Sequence, residues 1–340
     1  MKGRQIILDH IQGREAAALM VDGRLEDLLI DADQPSVGAI YRAVADRPMK
    51  GQGGLFLTTP DGTAFLRQVK GIAPGDKLLV QVTGYAEPGK AIPVTTRVLF
   101  KSRYAIVTPG APGLNISRRI KDDDLRDELT GIAKAVFEAE DTGLILRSSC
   151  AHANPEDIAE DIVAMMDLAN VVMADTDGDI EKLTDGDSPH EMAWREWTDL
   201  ADVVTDPGSF ETLGVLEHIE ALASPQVALA GGASMFIEPT RALVAVDVNT
   251  GRDTSPAAAL KANIAAARDL PRQLRLRGLG GQIVMDLAPM PKKDRRTFEM
   301  SLKAAFRADL IETVLAGWTP LGAFELQRKR DRLPMSEVLS

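Results

Sequence analysis

Residues 242–285 run as an apolar strand, a long helix and a second apolar strand, and this order restricts the fold more than any other feature of the chain. Residues 242–246 (ALVAV) suit a buried strand, residues 256–277 are rich in Ala and Leu and read as a helix, and residues 282–285 (QIVM) form the next strand. Strands joined by a helical crossover point to an α/β arrangement. Pro271 falls inside the helical stretch and predicts a kink there. A further helix is predicted from Arg295 to Leu315.

Both strands run into carboxylates. Asp247-Val248-Asn249 follows the first and Asp286 follows the second. Side chains alternate along a strand, so Asp247 and Asn249 share a side. If the strands are neighbours, Asp286 joins them at the strand ends, where sites in α/β sheets are usually built. Two carboxylates and an amide oxygen are hard ligands that suit Mg²⁺, or Mn²⁺, rather than zinc. Such an ion polarises phosphoryl oxygens and activates water. Asp and Asn also commonly follow strands as plain turn residues, and spacing alone favours that simpler interpretation. Arg252, just beyond the first pair, is a candidate phosphate contact.

Elsewhere the pattern changes. Residues 37–45, 54–58, 63–67 and 78–82 are short strand-like runs separated by Gly-containing turns, as in a small OB-type barrel. Phe56 and Phe65 sit on adjacent strands of that barrel, where they can stack bases or fill the core. A helix is predicted from Asp122, and another after Asn154-Pro155, with Ile158, Ile162, Met165 and Leu168 as its apolar face. Ser117-Arg118-Arg119 offers a phosphate fork.

The net charge of −11 would argue against nucleic acid if it were uniform. It is not: ten acidic residues crowd positions 175–202, and ten basic residues lie between Arg268 and Arg307. The acidic run reads as a surface linker. Its calcium-loop likeness fails, with Gly178 at the fourth position and Gly186 where a Glu is needed. The single cysteine, Cys150, excludes an intrachain disulfide and a Cys-rich zinc site. No apolar run is long enough to span a membrane and no signal peptide is apparent, so a cytoplasmic protein is expected.

Residues 245–252, 263–268, 272–281 and 283–286, in that order and spacing, resemble the catalytic subdomain of the bacterial ribonuclease E/G family. The resemblance implies an α+β and α/β multi-subdomain chain. An OB-type barrel (36–100) would be inserted in a trimmed RNase H-like scaffold (1–35 plus 200–240). A 5′-sensor-like region with the acidic linker (101–199) and a DNase I-like catalytic subdomain (241–340) would complete it. It implies that Asp247 and Asp286 hold Mg²⁺ with Asn249 assisting, which displaces the turn-residue interpretation. It implies a hydrolase cutting single-stranded RNA, with 5′-monophosphorylated AU-rich substrates favoured, in RNA processing or decay.

Further matches are similar to other parts of the family. Residues 113–120 resemble the start of its 5′-sensing region. Residues 143–148 resemble the segment that grips a 5′-monophosphate, which gives that role to Arg147 and Ser148, the latter in place of a Thr. Phe56, Phe65 and Lys90 fall where the family's barrel meets RNA, and Arg118, Arg119 and Arg252 complete the RNA-contact set. The family's zinc-linking Cys pair has no counterpart here, so no zinc and no zinc-linked dimer are expected. The alternative is an RNA-binding protein that keeps the fold without cutting. A phosphodiesterase acting on DNA or a small nucleotide is supported only by the generic metal site.

Overall fold

The computed structural model describes residues 3–49, 53–67, 71–87, 89–138 and 140–339. The chain divides into two units, Met1–Asp31 with Asp202–Ser340, and Ala32–Ala201.

The first unit begins with a meander, β1 (Arg4–Ile11), β2 (Arg14–Val21) and β3 (Arg24–Ile30). Its return strand comes almost 200 residues later, as described below.

The second unit opens with the barrel. β4 (Ile40–Met49), β5 (Gly54–Thr59), β6 (Gly62–Arg67), β7 (Lys77–Val82) and β8 (Ile92–Thr95) pair in the order β4-β5-β6-β8-β7, and β7 returns to β4 to close the ring. Closure removes the free edges that would invite aggregation. Alternation sorts the side chains: Leu55, Leu57, Ala64 and Leu66 point into the barrel core with Tyr41, Val80 and Val94. Each large apolar side chain buried this way contributes about 1.5–3 kcal/mol.

A mixed layer follows. β9 (Phe100–Lys101), β10 (Ala105–Pro109), β11 (Gly113–Ile116) and β12 (Thr142–Leu146) form a four-stranded sheet, with α1 (Asp123–Val136) and α2 (Pro155–Ala174) over its buried face. α1 starts where the sequence predicts, with the Asp122 carboxylate accepting from Leu125 N at 3.0 Å. α2 starts after Asn154 as predicted, but its buried face is Ile158, Ile162, Ala169 and Val172. Met165 is only partly covered and Leu168 is exposed. Over 20 residues the 3.6-residue period carries the inner stripe from 165 and 168 toward 169 and 172.

The acidic stretch is not a free linker. Its middle forms β13 (Glu181–Thr184), which pairs antiparallel with β4. The reason is Arg42, a buried guanidinium on β4. It donates to the carbonyls of Asp175 and Asp179 and to the carboxylates of Asp175 and Glu181. Lys77 donates to the Gly178 carbonyl at 2.6 Å. A buried cation requires such partners, and the acidic run supplies them. Lys182 reaches Asp61 in the β5–β6 turn, and the Tyr41 hydroxyl donates to the same carboxylate at 2.6 Å. The Tyr41 hydrogen bond and Lys182 hold Asp61 below the usual carboxylate range against its partial burial. α3 (Pro189–Glu196) ends this unit and begins with a capping box between Ser188 and Glu191.

The first unit resumes with β14 (Asp202–Val204), which adds to β1 in parallel and completes a sheet ordered β14-β1-β2-β3. α4 (Ser209–Thr212) and α5 (Val215–Ala221) pack Phe210, Val215 and Ile219 against Ile7, Ala18 and Leu28 of that sheet. Asp9 on β1 accepts from the backbone N–H groups of Gly208 and Phe210, which seats α4.

A second sheet of the same unit contains β15 (Gln226–Ala228), β16 (Ser234–Pro239), β17 (Val244–Asn249), β18 (Gly281–Asp286), β19 (Thr313–Trp318) and β20 (Phe324–Arg328), ordered β15-β16-β17-β18-β20-β19. β17 and β18 are parallel and joined by α6 (Pro256–Leu276), as the strand–helix–strand order requires. Pro271 does not break α6, which is helical throughout its 21 residues. α7 (Lys292–Ala308) is shorter than predicted. Beyond it Thr313–Trp318 is strand rather than helix, because its β-branched and aromatic residues pair with β20. α6 and α7 cover one face of the sheet through Ala266, Leu270, Phe298 and Leu302. α8 (Met335–Val338) lies near the C-terminus. Among the described residues no helix is long and apolar enough to cross a membrane.

Candidate active site

The face of the second sheet that α6 and α7 leave uncovered carries the predicted acidic residues. Val244, Val246 and Val248 of β17, and Ile283 and Met285 of β18, point into the core. The alternate positions Asp247, Asn249 and Asp286 are exposed. In the parallel register Asp247 is the direct partner of Asp286. Register partners on neighbouring strands, about 4.8 Å apart, present their side chains to the same face. The two carboxylates are therefore side by side at the C-terminal end of the parallel pair β17 and β18. The Asn249 amide donates to Asp247 Oδ2 at 2.8 Å, which fixes the rotation of that carboxylate.

Neither Asp247 nor Asp286 has a Lys or Arg partner among the described residues, and no third acidic, His or Cys side chain joins them there. Two adjacent carboxylates without a cation repel each other, so the donor set itself calls for one. A pair of carboxylates completed by water and by substrate oxygens is what Mg²⁺ uses, since it keeps much of its hydration. The residues fit the ion that the family resemblance implies.

The turn beyond β17 is shaped by Gly251, at φ +77°, where a Cβ would stand 2.3 Å from the Gly232 carbonyl oxygen. Only glycine allows these two loops to meet this closely. Arg252 comes out of this turn exposed and without an ion pair among the described residues. At the α7 end of the sheet, Arg295 lies 4.1 Å from the Trp318 ring centroid, and Trp318 packs edge-on against Phe324. Lys292 and Lys293 at the start of α7 are exposed.

In the other unit, Phe56 and Phe65 are cross-strand partners with ring centroids 5.3 Å apart. They alternate with the core residues Leu55, Leu57, Ala64 and Leu66, so both rings face outward and are half-buried. Phe65 lies across Gly54, where a Cβ would collide with the ring at 2.2 Å. Arg47 sits 5.4 Å from the Phe56 ring centroid, a neighbour that the sequence reading did not single out. Lys90 is exposed and pairs with Glu87 at 2.7 Å. Arg118 and Arg119 are exposed just after β11.

Arg147 and Ser148 follow β12. Ser148 is half-buried at the start of a short 3₁₀ turn. The Arg147 guanidinium is already engaged. It donates to the Ser102 carbonyl at 2.6 Å, to the Arg195 carbonyl at 3.2 Å and to Glu196 Oε2 at 2.6 Å. Glu196 is the partner that sequence reasoning missed, because it stood in the acidic run assigned to a linker. Burial pushes its carboxyl up, but the cations Arg147 and Arg195 outweigh this and hold it below the ordinary carboxylate range.

A family model described as Ribonuclease E/G family matches residues 100–206 and 190–331 of this chain. Ribonuclease E of Nostoc sp. is 26% identical over 96% of the chain, which spans 56% of that protein. Ribonuclease E of Synechocystis sp. is 26% identical over 98% of the chain, which spans 58% of it. Ribonuclease G of Salmonella typhimurium is 26% identical over 98% of the chain, which spans 81% of it. The chain thus covers little more than half the length of the two ribonuclease E relatives. The resemblance carried by residues 245–286 is borne out at the level of the family.

Proposed function

This chain belongs to the Ribonuclease E/G family, and on that premise we propose that it is a metal-dependent endoribonuclease that hydrolyses phosphodiester bonds of single-stranded RNA. The observation that carries the proposal is the register pairing of Asp247 with Asp286 on an open sheet face, with no Lys or Arg paired to either among the described residues. Asp247 and Asp286 are the residues that would hold Mg²⁺, and Mn²⁺ would suit the same oxygens. A bound ion supplies Lewis acidity toward the scissile phosphate and the attacking water.

The protein's own groups do the rest. Asn249 holds Asp247 in one orientation through its amide N–H. Arg252 neutralises a phosphate beside the site. The outward pair Phe56 and Phe65 offers bases an aromatic surface on the barrel, and Lys90, Arg118 and Arg119 offer charge along the backbone. Arg147 and Ser148 are the candidates for a 5′-monophosphate, with the phosphate replacing Glu196 on the guanidinium. The products would carry 5′-phosphate and 3′-hydroxyl ends, and RNA processing or decay in the cytoplasm is the setting proposed. In this reading residues 241–340 correspond to the family's DNase I-like subdomain, and the first meander with residues 200–240 to its RNase H-like scaffold.

The test is cleavage of a labelled, AU-rich, 5′-monophosphorylated RNA in Mg²⁺, beside EDTA, a 5′-hydroxyl RNA, a DNA of the same sequence and Asp247→Asn. Cutting of RNA alone that requires Mg²⁺ and Asp247 is the expected result. Tight RNA binding with no cutting under any divalent ion would sink the enzyme and leave an RNA-binding relative.

A further inference from the structure

α3 holds one tryptophan inward and one outward. Trp197, at its C-terminal end, is 4% exposed, whereas Trp194 is 62% exposed. The helix beneath Trp194 is firmly seated. Pro189 and Ala193 are buried, and Glu196 is bound by both Arg147 and Arg195. Trp194 is therefore a large apolar ring held in solvent by a fixed base, and hydrophobic collapse has not drawn it in.

One face of this ring already has a partner. The Arg103 guanidinium stacks 4.0 Å from the Trp194 centroid, and it also donates to the Trp194 carbonyl. Arg103 itself is held by its backbone, whose carbonyl accepts from the Ser149 hydroxyl. Arg42, Arg147 and Arg195 in the same unit each have a carboxylate partner, but Arg103 has none among the described residues. Its Nε is buried with no hydrogen-bond acceptor. A guanidinium without a carboxylate partner favours an approaching acceptor that carries negative charge.

An open aromatic face beside an unpaired guanidinium matches a nucleotide, a flat base attached to a phosphate. We propose that Trp194 and Arg103 form a nucleobase-stacking platform for single-stranded RNA, with the base on the free face of Trp194 and its phosphate at Arg103. The inference rests on the ribonuclease reading and adds a contact outside the residues assigned there. The platform adjoins Arg147 along both chain segments. The two carbonyls that seat Arg147 belong to Ser102 and Arg195, the immediate neighbours of Arg103 and Trp194. A base stacked here therefore belongs to the same stretch of RNA as a phosphate at Arg147. Stacking tolerates every base and favours the larger purine faces, so the platform would grip the strand without reading its sequence.

The test uses the full chain in EDTA, so that binding is read without cutting. Oligo(A) and an abasic ribose-phosphate oligomer of equal length are titrated, following tryptophan emission and the anisotropy of a labelled strand. Oligo(A) should quench emission in the wild type and not in Trp194→Phe, and the abasic strand should quench neither. Trp194→Ala should weaken oligo(A) binding roughly 5- to 100-fold, while Trp194→Phe retains most of the affinity. Arg103→Ala should reduce the dependence of log affinity on log salt by about 0.7, the single-strand value for one lost phosphate contact. Equal oligo(A) affinity in wild type and Trp194→Ala, without base-dependent quenching, overturns the platform and leaves the ribonuclease reading standing. Failure of the wild type to bind any RNA overturns both.

Discussion

Two groups of charged side chains in the same unit are made of similar residues and are built in opposite ways. Asp247 and Asp286 lie on the open face of the second sheet, side by side, and among the described residues the Asn249 amide alone is hydrogen-bonded to them. Asp309, at the end of α7, is enclosed, and its two oxygens accept from Arg275 and Arg328. Nearby Asp27 on β3 receives a two-pronged contact from Arg332, at 2.5 and 3.1 Å. In the second group every carboxylate has a guanidinium, and the group ties β3, α6, α7, β20 and the segment after β20 together. In the first no described Lys or Arg answers the charge. Compensated charge is architecture, whereas uncompensated charge is a request for something from outside the chain. The second unit repeats the contrast, with Arg42 clasped by the acidic run and Arg103 left without a carboxylate.

The comparison breaks if the two groups respond alike to mutation. Asp247→Asn or Asp286→Asn should lower RNA cleavage on the order of 10³-fold, the scale of losing a main stabiliser of transition-state charge. Either change should leave the urea midpoint of the metal-free protein unchanged or raised, because it relieves repulsion between neighbours on a surface. Asp309→Asn should do the reverse, costing about 3–5 kcal/mol in urea unfolding, because it strands buried guanidinium groups. A loss of stability in Asp247→Asn as large as in Asp309→Asn would erase the distinction.

Metal sharpens the same point. Mg²⁺ at about 100 times its dissociation constant should stabilise the wild type by about 2.7 kcal/mol in thermal or urea unfolding. It should do little for Asp286→Asn. Equal stabilisation of both proteins would place the ion elsewhere.

The smallest expected effect concerns Arg147. Glu196 has its pKa depressed in the folded protein, so the contact contributes stability that is present above the ordinary carboxylate value of about 4.3. That contribution is lost as pH falls through the lower folded value. Between pH 8 and 6 the latch should not titrate, so a change in 5′-phosphate preference across that range should follow only the phosphate's own second ionisation, at about pH 6. Glu196→Gln weakens the competitor for Arg147 and should raise the ratio of 5′-monophosphate to 5′-hydroxyl binding several-fold. A ratio unchanged by that substitution would remove Arg147 from phosphate recognition.

How much of this was legible in the sequence follows from the range of the interactions involved. The strand–helix–strand core and the alternation that exposes Asp247 and Asn249 are local patterns, and they could be read directly. Four of the five barrel strands were legible for the same reason, while the short β8 with its Pro93 was not, and the α1 and α2 starts were announced by Asp122 and by Asn154-Pro155. The partners were not. Nothing near Arg42 in sequence says that Asp175 and Glu181 will enclose it, and a run of acids with glycine looks the same whether solvated or clasped. Glu196 and Arg147 are 49 positions apart. The end of α7 was misplaced because the register of β19 on β20, not local propensity, decides the fate of Thr313–Trp318.

The discontinuity of the first unit has a consequence for synthesis. β1 is translated almost 200 residues before its partner β14. During that interval the inserted unit, residues 32–201, has its own cores to fold around. The meander waits with one strand edge unpaired and without Phe210, Val215 and Ile219 to cover its apolar face. The nascent chain therefore matures from the middle outward. The β1–β3 meander, left incomplete for longest, is where a holding chaperone or a protease would find the growing chain.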